Sequence, residues 1–153
     1  MLHGISPLLE GEILSKLYKM GHGDYVLIAD ANYPADAHAR HIITLPGTTS
    51  PEVLEAIRSV IPADAYDGPS VSLMKSEQDS LLEVQKDLVD AAAVAEEQVE
   101  LVERFAFYEK ANGAYLTIRT GETRTYANAL LRKGVVLPFS GYPRPAPGVS
   151  PGN

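Results

Sequence analysis

Apolar residues recur at helical spacing at Ile13, Leu14, Leu17 and Met20, and Gly21 follows directly. This spacing predicts a helix over Glu10–Met20 with Gly21 as its C-cap. "YVLIA", Tyr25–Ala29, is apolar on successive residues between Gly23-Asp24 and Asp30-Ala31, as in a strand covered on both faces. "HIITL", His41–Leu45, predicts a second strand. Ser50-Pro51 stands in the favoured N-cap then N1 order before a helix with Val53, Leu54, Ile57 and Ile61 on one face, and Pro62 closes it. Further strands are expected over Pro69–Met74, over Ala114–Thr120 and near Asn128 ("NALLRKGVV"), and a helix rich in good formers over Leu81–Gln98. Strands alternating with helices predict an α/β layered fold with a largely parallel sheet.

Two segments resist the pattern. "VELVERFAFYEKA", Val99–Ala111, has helical propensity throughout, yet Val99, Leu101, Phe105 and Phe107 alternate well enough for strand. From residue 138 onward the chain is dense in proline and glycine and reads as an extended or disordered tail behind a single domain over residues 1–137.

Length and charge narrow the chemistry. A chain of 153 residues with 45% hydrophobic content builds one sizeable core. Asp and Glu outnumber Lys and Arg 20 to 13, for a net charge of -7, with no basic cluster to offset it, so a nucleic-acid partner is not expected. Without cysteine there is no disulfide framework, thiolate zinc site or cysteine nucleophile. No basic segment followed by a long apolar run opens the chain and no stretch is long and apolar enough for a membrane span, so a soluble, cytoplasmic protein with no membrane partner is expected.

"MGHGDYVLIADANYPADAHARH", Met20–His41, concentrates the chemistry. A dinucleotide loop needs the order strand, G-x-G-x-x-G, helix; here it is helix, "GHG", strand, at the helix end that repels anions. His38 and His41 lack a carboxylate motif for a metal and read as surface histidines. His22 lies where the C-terminal field of the preceding helix favours a protonated ring, and Asp24 is near enough to hold one tautomer. It can be a proton-transfer group or a plain helix-end residue. Asp30 follows a buried strand, and in open α/β sheets ligands bind just beyond the carboxyl ends of strands. It is a candidate ligand contact or a turn residue of "DANYP".

Four ordered blocks, "ISPLL", "MGHGDYVLIADANYPA", "RFAFYEKA" and "IRTGETRTYANALLRKGV", resemble the fucose mutarotase and ribose pyranase family over residues 4 to 136. The resemblance implies an α/β/α sandwich, ring-form interconversion of free monosaccharides without cofactor or metal, and homo-oligomers, decameric rings in many bacterial members. It places the family's acid/base histidine on His22 and its sugar contacts on Asp30, Asp64, Arg104, Tyr108, Tyr126 and Asn128. It also implies that "VELVE" is strand and "AFYEKA" a short helix. "GHGD", "YPA" and "RFAFYEKA" are similar to the fucose-type members, whereas ribose-type members usually carry threonine before that aspartate. Ala127 in "YAN" is the departure, because many fucose-type proteins have glycine there. Besides a fucose-type mutarotase, a ribose-type ring isomerase, a sugar-binding module without turnover, and a glycosidase using two of Asp24, Asp30 and Asp64 are the alternatives. The last needs a carboxyl pair roughly 5 to 9 Å apart.

Overall fold

The computed structural model describes residues 1–138, so the Pro/Gly-rich tail expected from residue 138 lies almost wholly outside the described residues. The elements are α1 (Gly11–Lys19), β1 (Tyr25–Ala29), α2 (Ala35–His38), β2 (Ile42–Leu45), α3 (Ser50–Arg58), β3 (Val71–Met74), α4 (Glu83–Ala92), β4 (Val99–Val102), α5 (Arg104–Ala111), β5 (Leu116–Thr120) and β6 (Ala129–Arg132). One six-stranded sheet runs in the order β2-β5-β1-β6-β3-β4. Five strands are mutually parallel, and β6 is inserted antiparallel between β1 and β3.

Successive side chains of a strand point to opposite faces, and β1 shows what each face meets. Val26 and Ile28 join Ile13 and Leu17 of α1, Leu54 and Ile57 of α3 and Leu88 of α4 in one core. Leu27 and Ala29 join Tyr33, Phe107 and Ala111 in a second core on the other face. The result is the expected α/β layering with helices on both sides of a largely parallel sheet.

Several boundaries differ from the sequence reading for local reasons. Met20 leaves α1 in an extended conformation, and the left-handed glycine is Gly23, at φ 85°, rather than Gly21. The N-cap of α3 is Thr49 and not Ser50: Thr49 forms a capping box with Glu52, while the Ser50 hydroxyl lies 3.0 Å from that of Thr120. The helix expected to reach Gln98 stops at Ala92, where Ala93 turns left-handed at φ 49°. Arg58 Nε donates to the Ala92 carbonyl at 2.7 Å, supplying a partner for an orphan carbonyl of that helix end. The segment with two readings splits into β4 and α5, with Phe107 fully buried and Phe105 66% exposed.

Candidate functional site

The carboxyl ends of the parallel strands gather on one side of the sheet, together with the start of β6. A cavity of about 190 Å³ opens there, lined by Asp30, Asn32, Tyr33, Met74, Arg104, Tyr108, Thr125, Tyr126 and Asn128. Each lining residue is placed by topology. Asp30 follows β1, Met74 ends β3, and Arg104 opens the helix after β4, with Tyr108 one turn on. Asn128 closes the loop from β5 to β6, which must pass over the end of β1 because β1 lies between those two strands.

Asp30 and Asn128 form a reciprocal buried pair. The Asp30 backbone N–H donates to Asn128 Oδ1 at 2.8 Å, and Asn128 Nδ2 donates to Asp30 Oδ2 at 2.9 Å. The second carboxylate oxygen accepts from the Asn32 N–H at 2.9 Å. Burial pushes the Asp30 carboxyl above the usual carboxylate range, opposed by hydrogen bonds from Asn32, Asn128, Tyr33 and Ala127. Tyr33 is buried beside it, and burial first, then Tyr108 and Asp30, push its phenol up, so the hydroxyl stays a neutral donor. Its ring meets that of Tyr108 at 5.4 Å between centroids. Tyr126 occupies the left-handed region at φ 62°, a conformation that costs a non-glycine residue on the order of 1–3 kcal/mol and persists only where its surroundings hold it. Ala127 is buried with no positive φ, so nothing in its backbone demands the glycine of many fucose-type proteins.

His22 and Asp64 are elsewhere. They precede β1 and β3, at the amino ends of the parallel strands, while Asp30 follows β1. The five residues of β1 separate the two ends by about 17 Å at about 3.4 Å per residue. There His22 Nε2 lies 3.1 Å from Asp64 Oδ2. A carboxylate only accepts, so Nε2 carries the hydrogen and Nδ1 of a neutral ring keeps its lone pair. Asp64 is 1% exposed and His22 45%. The Tyr66 N–H, 3.0 Å from Asp64 Oδ1, does most to hold that carboxyl below its ordinary range, and Arg132 and His22 add to it against the effect of burial. Arg132 Nε lies 3.1 Å from Asp64 Oδ2, an ion pair without hydrogen-bond alignment. Asp24, a candidate to hold the His22 tautomer, accepts from the Gly21 N–H at 2.7 Å.

Five of the seven expected site residues therefore share the cavity, and the other two pair at the opposite end of the sheet. Asn32, Tyr33, Met74 and Thr125 were missed. Tyr33 was within reach, being three residues past Asp30 in "DANYP"; Met74 and Thr125 carry no polar or spacing signal. Of the surface histidines, His38 is exposed, whereas His41 packs half-buried on Tyr115 at 5.1 Å. Among the described residues no group of three or more His, Cys, Asp or Glu side chains is arranged to hold a metal ion, and no helix is long and apolar enough to cross a membrane.

A sequence profile of the RbsD / FucU transport protein family matches residues 3–136. The chain belongs to this family. It is 37% identical over 140 residues to an L-fucose mutarotase of Glaesserella parasuis serovar 5 (strain SH0165), covering 88% of this chain and 96% of the relative. The fold matches the crystal structure of the fucose mutarotase of Streptococcus pneumoniae in complex with L-fucose, with TM-score 0.82, 33% identity, and coverage of 89% of this chain and 100% of that one. It also matches Bacillus subtilis RbsD complexed with D-ribose, with TM-score 0.71, 26% identity, and coverage of 90% and 99%.

Proposed function

We propose that the protein is a cofactor-independent mutarotase that interconverts the α and β anomers of a free monosaccharide, L-fucose before D-ribose. The observation that carries this reading is the convergence of Asp30, Arg104, Tyr108, Tyr126 and Asn128 on one cavity in a fold close to a fucose mutarotase. The preference for fucose rests on greater identity and structural similarity to fucose relatives than to the ribose-bound relative.

Mutarotation removes the proton of the anomeric hydroxyl while the ring oxygen gains one. The C1–ring oxygen bond breaks, the carbonyl rotates, and the ring recloses on its other face. Neither redox change nor group transfer occurs, so acid and base assistance worth roughly 10² to 10⁴ is the size of effect required. Asp30 accepts hydrogen bonds from sugar hydroxyls, Arg104 and the Tyr33 phenol donate, and the rings of Tyr108 and Tyr126 form an apolar wall. His22, oriented by Asp64, exchanges the proton through Nδ1.

A single chain holds these parts at opposite ends of its sheet. A second copy bringing its His22–Asp64 end to this cavity completes the site, and both ends carry apolar surface suited to such contact. Leu101 and Phe105 are exposed at the cavity end, with Tyr18, Val136 and Leu137 exposed near the His22 end. Because the two joined surfaces differ, the contact is heterologous, and a heterologous contact whose rotation closes builds a ring. Light scattering is expected to give a closed oligomer at micromolar concentration. Mixing and reassembling His22→Gln, which lacks the proton-transfer ring, with Asp30→Asn, at sugar concentrations too low to fill the weakened Asp30→Asn sites, is expected to restore part of the anomer exchange. No recovery from mixed rings would place all the chemistry within one chain. The separation of His22 from the cavity also favours a second reading, a sugar-binding module without turnover; anomer exchange decides between them.

A further inference from the structure

The loop of residues 121–128 carries Thr125, Tyr126 and Asn128 into the cavity. Its two ends are tied to the residues that follow β1: the Glu122 carbonyl accepts from the Ala31 N–H at 2.9 Å, and Asn128 pairs with Asp30. Between these ties stands Tyr126 in its left-handed conformation. Glu122, 4% exposed, takes almost the whole fork of Arg124. Its Oε1 accepts from Arg124 N at 3.0 Å and from Nε at 3.1 Å, and its Oε2 accepts from Nη2 at 2.9 Å. The remaining prong, Nη1, donates to Asp87 Oδ2 on α4 at 2.8 Å. The loop is thus fastened to a helix on the far face of the sheet, by a buried carboxylate that the proposed chemistry does not use.

We propose that Glu122, Arg124 and Asp87 form a clasp that holds Tyr126 left-handed and so fixes the wall of the cavity that faces the sugar. Glu122 and Arg124 are positioning residues; the inference rests on the sugar-binding reading above. Guanidinium is required because one planar fork must satisfy Glu122 through two nitrogens and still reach Asp87.

The test compares Arg124→Gln, Arg124→Lys and Asp87→Asn with the wild type. L-fucose affinity is read by calorimetry, anomer exchange at saturating sugar by NMR, and amide hydrogen exchange peptide by peptide. For Arg124→Gln the expected loss of affinity is roughly tenfold, equivalent to about 1.4 kcal/mol. Exchange at saturation should change little, and faster amide exchange should be confined to residues 123–127. Lys should recover only part of the affinity, and Asp87→Asn, which leaves the Glu122 fork intact, should give a smaller loss in the same direction. In a Tyr126→Gly background, where no left-handed strain remains, Arg124→Gln should lower Tm less than it does in the wild type. An Arg124→Gln protein with lowered Tm but unchanged affinity, or with unchanged amide exchange at 123–127, overturns the clasp. If the wild type binds no monosaccharide, the functional reading fails, and the amide-exchange and Tm comparisons still decide the clasp.

Discussion

Replacing Asp30 by Asn probes the buried pair with almost no change of shape. Both carboxylate oxygens accept, one from the Asn32 N–H and the other from Asn128 Nδ2. Asparagine offers one oxygen and one NH₂, so one of these donors must face another donor. Asn128 cannot flip to relieve the conflict, because its Oδ1 already accepts from the Asp30 N–H. One buried hydrogen bond is therefore lost whichever rotamer is adopted, at a cost of about 1–3 kcal/mol, partly offset because a charge that burial disfavours is gone. Toward a sugar hydroxyl the variant loses a charge-assisted acceptor worth about 1.5–3 kcal/mol, roughly 10- to 150-fold in affinity. Calorimetric titration with L-fucose reads the loss directly, and thermal unfolding reads the fold. An Asp30→Asn protein that binds fucose within about twofold of the wild type would refute the assignment of Asp30 as a ligand. The direction of its pKa shift adds a pH signature. Binding through the charged form should fade as pH falls through a value above the ordinary Asp range of about 3.9. The linkage to folding has the opposite sign: with the folded value raised, the stability contributed by Asp30 is full below the unfolded pKa and is lost as pH rises through the folded one.

Asp64 has the reverse linkage. Its folded pKa is lowered, so its contribution is present above the unfolded value and lost as pH falls through the folded one; Asp64→Asn should flatten the fall in Tm on acidification, and an unchanged acid profile would contradict this. Gly121→Ala would bring a Cβ within 2.6 Å of the Gly47 backbone nitrogen, and backbone on backbone gives little way, so a loss of roughly 1–3 kcal/mol is expected in denaturant unfolding. Phe107→Ala should cost about 3–5 kcal/mol, because that ring is fully buried in the second core, whereas Phe105→Ala should leave thermal stability nearly unchanged and, under the proposed ring assembly, lower the mass read by light scattering.

β1 was legible to the residue because a fully covered strand is a continuous apolar run, and Asp30 was legible with it because its place follows from the strand's end. The limits of α4 were not. "AAAVAEEQ" has helical propensity throughout, yet Ala93 turns left-handed and Glu96–Gln98 tighten into a 3-10 turn that feeds β4. At that ending Arg58 of α3 donates to the Ala92 carbonyl, a contact from a residue distant in sequence that propensity cannot register. Phe105 and Phe107 have the same composition signal and opposite fates, decided by which face of α5 meets the sheet. The loop from β5 to β6 could be seen as short, but its passage over β1 depends on strand order, and so does the meeting of Asn128 with Asp30. The partner of His22 shows the same limit: Asp24 was near in sequence, while Asp64, 42 residues away, is near in space.

The most direct test is saturation-transfer NMR between the α and β anomers of L-fucose, run on the wild type and on His22→Gln with the sugar saturating and a chelator present. Gln keeps hydrogen-bonding capacity toward Asp64 but removes the ring's exchangeable proton. The wild type should accelerate exchange in the presence of the chelator, and His22→Gln should bind fucose yet fall back toward the uncatalysed rate. A wild-type protein that binds fucose without accelerating exchange, or a His22→Gln protein exchanging anomers at the wild-type rate, would contradict the proposed mutarotase mechanism.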